Sequence, residues 1–161
     1  MTALRQHDDI PHVLAEVATT RGGVSRPFQS PSQARDALRE AQLASRCTNP
    51  GTTAVVRFGA TPIPLLLANQ PDASWQLADQ VLAPVLQLPD PDRDTLLDTL
   101  ETWSACAGSS TDAAKRLHYH RNTVHQRLRR LEQLTGRSCS DPVGSAERYV
   151  ALTAVRPSRP E

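Results

Sequence analysis

"RLHYHRNTVHQRLRRLEQLTG", residues 116–136, holds five arginines and three histidines around a single aliphatic stripe. Wound at 3.6 residues per turn from Arg121 to Leu134, it puts Val124, Leu128 and Leu131 on one side, which must face a core. Asn122, Gln126, Arg129 and Gln133 lie opposite. Arg121 and His125 line one shoulder, and Thr123, Arg127 and Arg130 lie towards the other. Glu132, near the C-terminal end, is the one carboxylate. So many donors around so little core suit three partners: a metal, a membrane surface or a nucleic acid.

The donor types favour the third. Arginine bonds guanine in bidentate fashion, asparagine and glutamine do the same for adenine, and shoulder arginines reach phosphates. His118, His120 and His125 lack a cysteine or acidic partner at ligand spacing, so neither a metal nor another cofactor is expected. A membrane-surface helix would need a broader apolar or aromatic face than Val124, Leu128 and Leu131 supply. The segment before it, "STDAAKRLH" (110–118), reads as a short helix with Ala113, Ala114 and Leu117 turned inward. It ends two or three residues before the next helix begins, the spacing of a helix-turn-helix whose second helix enters the major groove. The expected base contacts are Arg121, Asn122, Gln126, Arg129 and His125. The expected phosphate contacts are Ser109, Thr111, His120, Thr123, Arg127 and Arg130, with His120 also a candidate cap of the second helix.

Composition is consistent with this without requiring it. The 161 residues carry a net charge of only +1, with 39% hydrophobic and 4% aromatic residues. The charge is segregated, however. Residues 71–101 hold Asp72, Asp79, Asp90, Asp92, Asp94, Asp98 and Glu101 against Arg93 alone. Residues 110–137 hold Lys115, Arg116, Arg121, Arg127, Arg129, Arg130 and Arg137 against Asp112 and Glu132. A basic segment of this kind is an electrostatic footprint for a polyanion. Cys47, Cys106 and Cys139 are few and far apart, as expected of reduced thiols in a cytoplasmic protein. No apolar run reaches signal-peptide or membrane-span length.

Upstream, "GVSRPF" (23–28) and "TTAVVRFGA" (52–60) have strand composition. Between them, "SPSQARDALREAQLASRC" starts with Ser30 and Pro31 and spaces Ala34, Ala37, Leu38, Ala41 and Ala44 as a helix. "SWQLADQVLAPVLQL" (74–88) reads as a helix kinked or ended near Pro84, and "PDPDR" as a turn. "DTLLDTLETWSACAG" (94–108) repeats Leu96, Leu97, Leu100 and Trp103 on one face. "DPVGSAERYVALTAVR" (141–156) starts with Asp-Pro and carries Ala146, Tyr149, Val150 and Thr153 on one stripe.

Taken together, "LLDTLETWSACAGSSTDAAKRLHYHRNTVHQRLRRLEQLTGRSCSDP" resembles the C-terminal helix-turn-helix domain of the PucR/CdaR family of bacterial transcription regulators. The run "HRNTV" (120–124) between AAxxLH and RLxRxExLxG carries most of that resemblance; Trp103 stands where the family usually has tyrosine. Residues 23–70 resemble, more weakly, the end of the GGDEF-like domain that precedes this module in the family. No GGDEF motif occurs. The resemblance implies a mainly α protein: a Fis-like helix-turn-helix bundle over 93–156, preceded by a small partial α/β segment. The remaining divisions are a poorly defined segment at 1–22, a linker helix and turn at 71–92, and a tail at 157–161. The expected partner is double-stranded DNA, bound as a homodimer or as a heterodimer with a related regulator, with no membrane association.

The implied function is sequence-specific DNA binding for transcription regulation, without enzymatic activity. The family's sensory domain is missing, so the chain reads as a shortened regulator. An alternative is an interaction partner or competitor of a full-length regulator without DNA binding of its own. An enzyme is the third class, but there is no nucleophile elbow, metal set or phosphate-cradling glycine loop to support it.

Overall fold

The computed structural model describes residues 19–48, 53–139 and 141–156; the expected tail at 157–161 and most of the segment at 1–22 lie outside them. The protein is mainly α-helical and divides into two compact units, one spanning Trp75–Leu152 and the other made of the remaining residues.

In the second of these units, β1 (Gly22–Val24) and β2 (Val55–Arg57) pair in parallel, with Gly23 opposite Val56. Both strands are shorter than the stretches of strand composition around them. α1 (Ala34–Arg46) links them, entered through a 3-10 turn at Pro31–Gln33. Ser30 and Gln33 form a reciprocal capping box there, which satisfies two otherwise orphaned amides. Ala37 and Ala44 are the buried residues of α1, whereas Leu38 is 61% exposed and does not join the expected inward stripe. β1 lies so close to α1 that a Cβ on Gly23 would stand 1.9 Å from the Ala41 carbonyl oxygen. α2 (Pro62–Asn69) has no counterpart in the sequence reading. Its prolines, Pro62 and Pro64, occupy the first turn, where no intrahelical N–H is needed, and its apolar residues run all round it, so it shows no period.

α3 (Pro71–Leu86) continues two residues beyond Pro84 and buries Ala78, Val81, Leu82 and Val85 at helical spacing. "PDPDR" is not a turn. It is the first turn of α4 (Asp90–Ala105), where Pro91 costs no hydrogen bond and Asp90 and Asp92 favour the positive end of the helix dipole. α5 (Ser110–Leu117) and α6 (Arg121–Thr135) follow, and α4, α5 and α6 pack pairwise on one another. Their shared core includes Leu96, Leu97, Leu100, Ala113, Ala114, Val124, Leu128 and Leu131, all buried. Trp103 and Leu117 are half-buried at its margin.

α7 (Pro142–Val155) starts as its Asp-Pro signal predicts: the Asp141 carboxylate accepts from Gly144 N at 2.7 Å. Its inward stripe is rotated from the expected one. Gly144, Arg148, Ala151, Leu152 and Val155 are buried, while Ala146 and Tyr149 are exposed and Val150 and Thr153 half-buried.

Candidate nucleic-acid interface

The helix-turn-helix geometry rests on two caps and a tight turn. The Ser109 hydroxyl accepts from Asp112 N at 3.2 Å and starts α5. α5 ends at His118, whose φ of 56° is left-handed, and Tyr119 N closes the turn by donating to the Ala114 carbonyl at 2.9 Å. His120 then caps α6, its Nδ1 accepting from Asn122 N at 3.3 Å. α6 runs without interruption to Gly136, whose φ of 66° ends it in the left-handed region that glycine tolerates. A three-residue turn, His118–His120, thus joins the helices.

Arg121, Asn122, Gln126 and Arg129 are exposed along α6, with half-buried His125 beside them. Arg121 Nε donates to His125 Nε2 at 3.2 Å. Among the described residues, the Gln126 and Arg129 side chains make no hydrogen bond or ion pair, which leaves their donors open to a ligand. Glu132 does not dilute this surface. Its carboxylate is half-buried at the C-terminal end of α6, where it accepts from Ser138 Oγ at 3.1 Å and from Cys139 N. The Cys139 amide, above all, holds this carboxyl below the usual carboxylate range.

The expected phosphate contacts are less uniform. Thr111, His120 and Arg130 are exposed; Ser109, Thr123 and Arg127 are half-buried. Besides capping α5, Ser109 donates to the Asp112 carboxylate at 2.7 Å. Ser109 and then Lys115 hold the Asp112 carboxyl below its usual range, so a negative charge sits at the N-terminus of α5. Arg127 lies over the Tyr119 ring, 4.2 Å from its centroid, and Nη1 donates to Thr99 Oγ1 at 3.4 Å. Arg130 Nη2 pairs with Asp92 Oδ2 of α4 at 3.0 Å. Arg127 and Arg130 are therefore, like Arg121, already engaged within the protein.

Sequence reading missed Tyr119, Asp92 and Arg148. Tyr119 is 47% exposed in the turn and forms the platform for Arg127. Arg148 has no exposed surface: Nη1 donates to the Arg137 carbonyl and Nη2 to the Ser138 carbonyl, each at 2.9 Å. It fastens the loop that follows α6. Arg137 adds a bond to Glu147 on α7, Nε to Oε2 at 2.6 Å. A stripe taken through Gly144, Ala151, Leu152 and Val155 would have put Arg148 in the core.

Among the described residues, no three of His, Cys, Asp and Glu are grouped to hold a metal, and no helix is long and apolar enough to cross a membrane. Cys47, Cys106 and Cys139 are free thiols.

This arrangement defines a helix-turn-helix domain. Residues 96–154 match the PucR C-terminal helix-turn-helix domain family, and this part of the chain is a domain of that type. The chain is also 29% identical over 140 residues to the purine catabolism regulatory protein of Bacillus subtilis (strain 168), covering 86% of this chain and 26% of that protein. An uncharacterized protein in the pkwA 5' region of Thermomonospora curvata is 35% identical over 107 residues, covering 62% of this chain and 59% of its own length. The chain thus spans about a quarter of the Bacillus protein. Among solved structures, a regulator of polyketide synthase expression from Bifidobacterium adolescentis is similar with a TM-score of 0.49 and 27% identity, over 79% of this chain and 52% of that one.

Proposed function

We propose that this protein is a sequence-specific DNA-binding transcription regulator that lays α6 in the major groove. One observation carries the reading: the outward face of α6 presents Arg121, Asn122, Gln126 and Arg129 exposed, while its only carboxylate, Glu132, is turned to the loop behind it. A solvated helix surface ordinarily mixes both signs, whereas this one offers a base-reading set. Arg121, Asn122, Gln126 and Arg129 read bases; Thr111, Thr123, Arg127 and Arg130 touch the backbone. Ser109 and His120 contribute through the caps that aim the two helices. A single helix-turn-helix meets one half-site, so the active form is a homodimer or a heterodimer with a related regulator in the cytoplasm. On this reading residues 23–70 are the end of a GGDEF-like domain.

The test is binding, followed by fluorescence anisotropy, to duplexes tiled across the region upstream of its own gene. On the tile that binds, Arg121→Ala and Asn122→Ala should each cost roughly 1–3 kcal/mol and relax the preference at one base pair. Arg130→Ala should weaken all sequences alike. Equal losses on specific and random DNA for all three variants would contradict the division of roles.

A second reading is favoured by the parallel pair β1–β2, since among the described residues the sheet has these two strands and such a pair does not stand alone. The chain would then complete its sheet with a related regulator and act as its competitor. Association with that regulator, without DNA binding by this chain alone, would support it.

A further inference from the structure

We propose that His125 is a positioning residue that reads no base itself and instead holds the Arg121 guanidinium in place for base recognition. The inference rests on the DNA-binding reading above. Arg121 is the first residue of α6, and His125 lies one turn further on the same face. The bond between them, Arg121 Nε to His125 Nε2 at 3.2 Å, has only one possible direction. A guanidinium has no acceptor and keeps its protons, so the imidazole accepts, and the ring is neutral with its proton on Nδ1. The Nε2 lone pair is thereby spent on arginine, and a ring in this state offers no Nε2–H to a guanine.

The geometry leaves the useful part of Arg121 free. Nε is engaged, while among the described residues both terminal nitrogens, the pair that spans guanine O6 and N7, make no hydrogen bond or ion pair. An unrestrained arginine must surrender its side-chain freedom on docking, and one already held by a half-buried ring surrenders less. The choice of partner also matters. Arg130 is held by the Asp92 carboxylate, which offsets its charge and would repel a phosphate. A neutral imidazole aligns Arg121 and leaves its charge whole. Arg127 is likewise held by uncharged groups, the Tyr119 ring and the Thr99 hydroxyl.

The decisive experiment compares the wild type, His125→Leu, His125→Gln and Arg121→Ala on the tightest-binding tile, its single-base-pair variants and random duplex. His125→Leu should lose about three- to tenfold in affinity for the tile, the range of one net hydrogen bond, and keep its affinity for random DNA. It should relax the same base pair as Arg121→Ala and add no further loss in the Arg121→Ala background. His125→Gln, whose amide oxygen can accept from Arg121, should recover most of the loss. In the free wild-type protein, nitrogen NMR of the ring should show Nδ1 protonated and Nε2 bare, a readout independent of any variant's folding. Relaxation of a different base pair, an equal loss in the Arg121→Ala background, no loss at all, or an Nε2–H ring would overturn the inference. If the wild type prefers no tile over random DNA, the DNA-binding reading falls and takes this inference with it. A specific wild type with an unaffected His125→Leu removes this inference alone.

Discussion

Arg148 and Glu132 fasten the far end of α6 through one loop, each from its own helix. Arg148 reaches it from the core of α7 and bonds the carbonyls of Arg137 and Ser138. Glu132 reaches it from α6 and takes the Ser138 hydroxyl and the Cys139 amide. Removing the guanidinium strands two carbonyls and leaves space. Arg148→Leu should therefore cost about 2–4 kcal/mol in a urea unfolding titration, and a change within the error of that titration would contradict the role. Glu132 gives a pH signature. Its folded pKa lies below the ordinary carboxylate value, so its contribution is present above an unfolded pKa of about 4.3 and is lost as pH falls through the folded value. The stability gap between wild type and Glu132→Gln should accordingly be full near neutrality and close on acidification; urea midpoints across a pH series would show it, and a pH-independent gap would count against it. Neither residue was legible as structural in the sequence. Glu132 stood out only as an exception to a basic face. Arg148 was hidden because the stripe of α7 was placed on Ala146 and Tyr149, and a charged residue reads as solvent-facing until its carbonyl partners are known.

At the scale of elements, α5 and α6 were nearly transparent in the sequence. Both have an uninterrupted 3.6-residue apolar period, and α6 adds a capping residue before and a glycine after. α2 was opaque because its apolar residues surround it and its prolines suggest a break. The first turn of α4 was misread for a related reason, since proline and aspartate suit a tight turn and a helix start equally. That misreading has a functional consequence, because it hid Asp92, which as part of α4 pairs with Arg130. Asp92→Asn should free Arg130 and remove a charge that opposes phosphate. Affinity should rise about two- to fivefold at low salt for cognate and random duplexes alike, as expected for one exposed ion pair. A selective gain on one sequence would show that Arg130 reads a base instead. β1 offers a purely steric test. Gly23→Ala places a methyl on the backbone of α1, at Ala41 O and Ser45 N, so the strand must move, at a cost of about 1–3 kcal/mol in thermal or urea unfolding. An unchanged stability would mean that β1 and α1 do not pack this closely.

Over the whole molecule the charge nearly cancels, and the net +1 hides an acidic stretch followed by a basic one. The domain at 96–154 takes in the basic stretch, and its fold turns that sequence feature into a surface on α6. Binding to DNA should then be governed by this local field rather than by the net charge, and counterion release should make it strongly salt-dependent. The measurement that tests this most directly is anisotropy on the tightest tile and on random duplex over a salt series. Affinity for both should fall steeply as salt rises, and the tile should keep a clear preference at every salt concentration. A chain that binds no tile better than random DNA, or whose affinity does not change with salt, would contradict it.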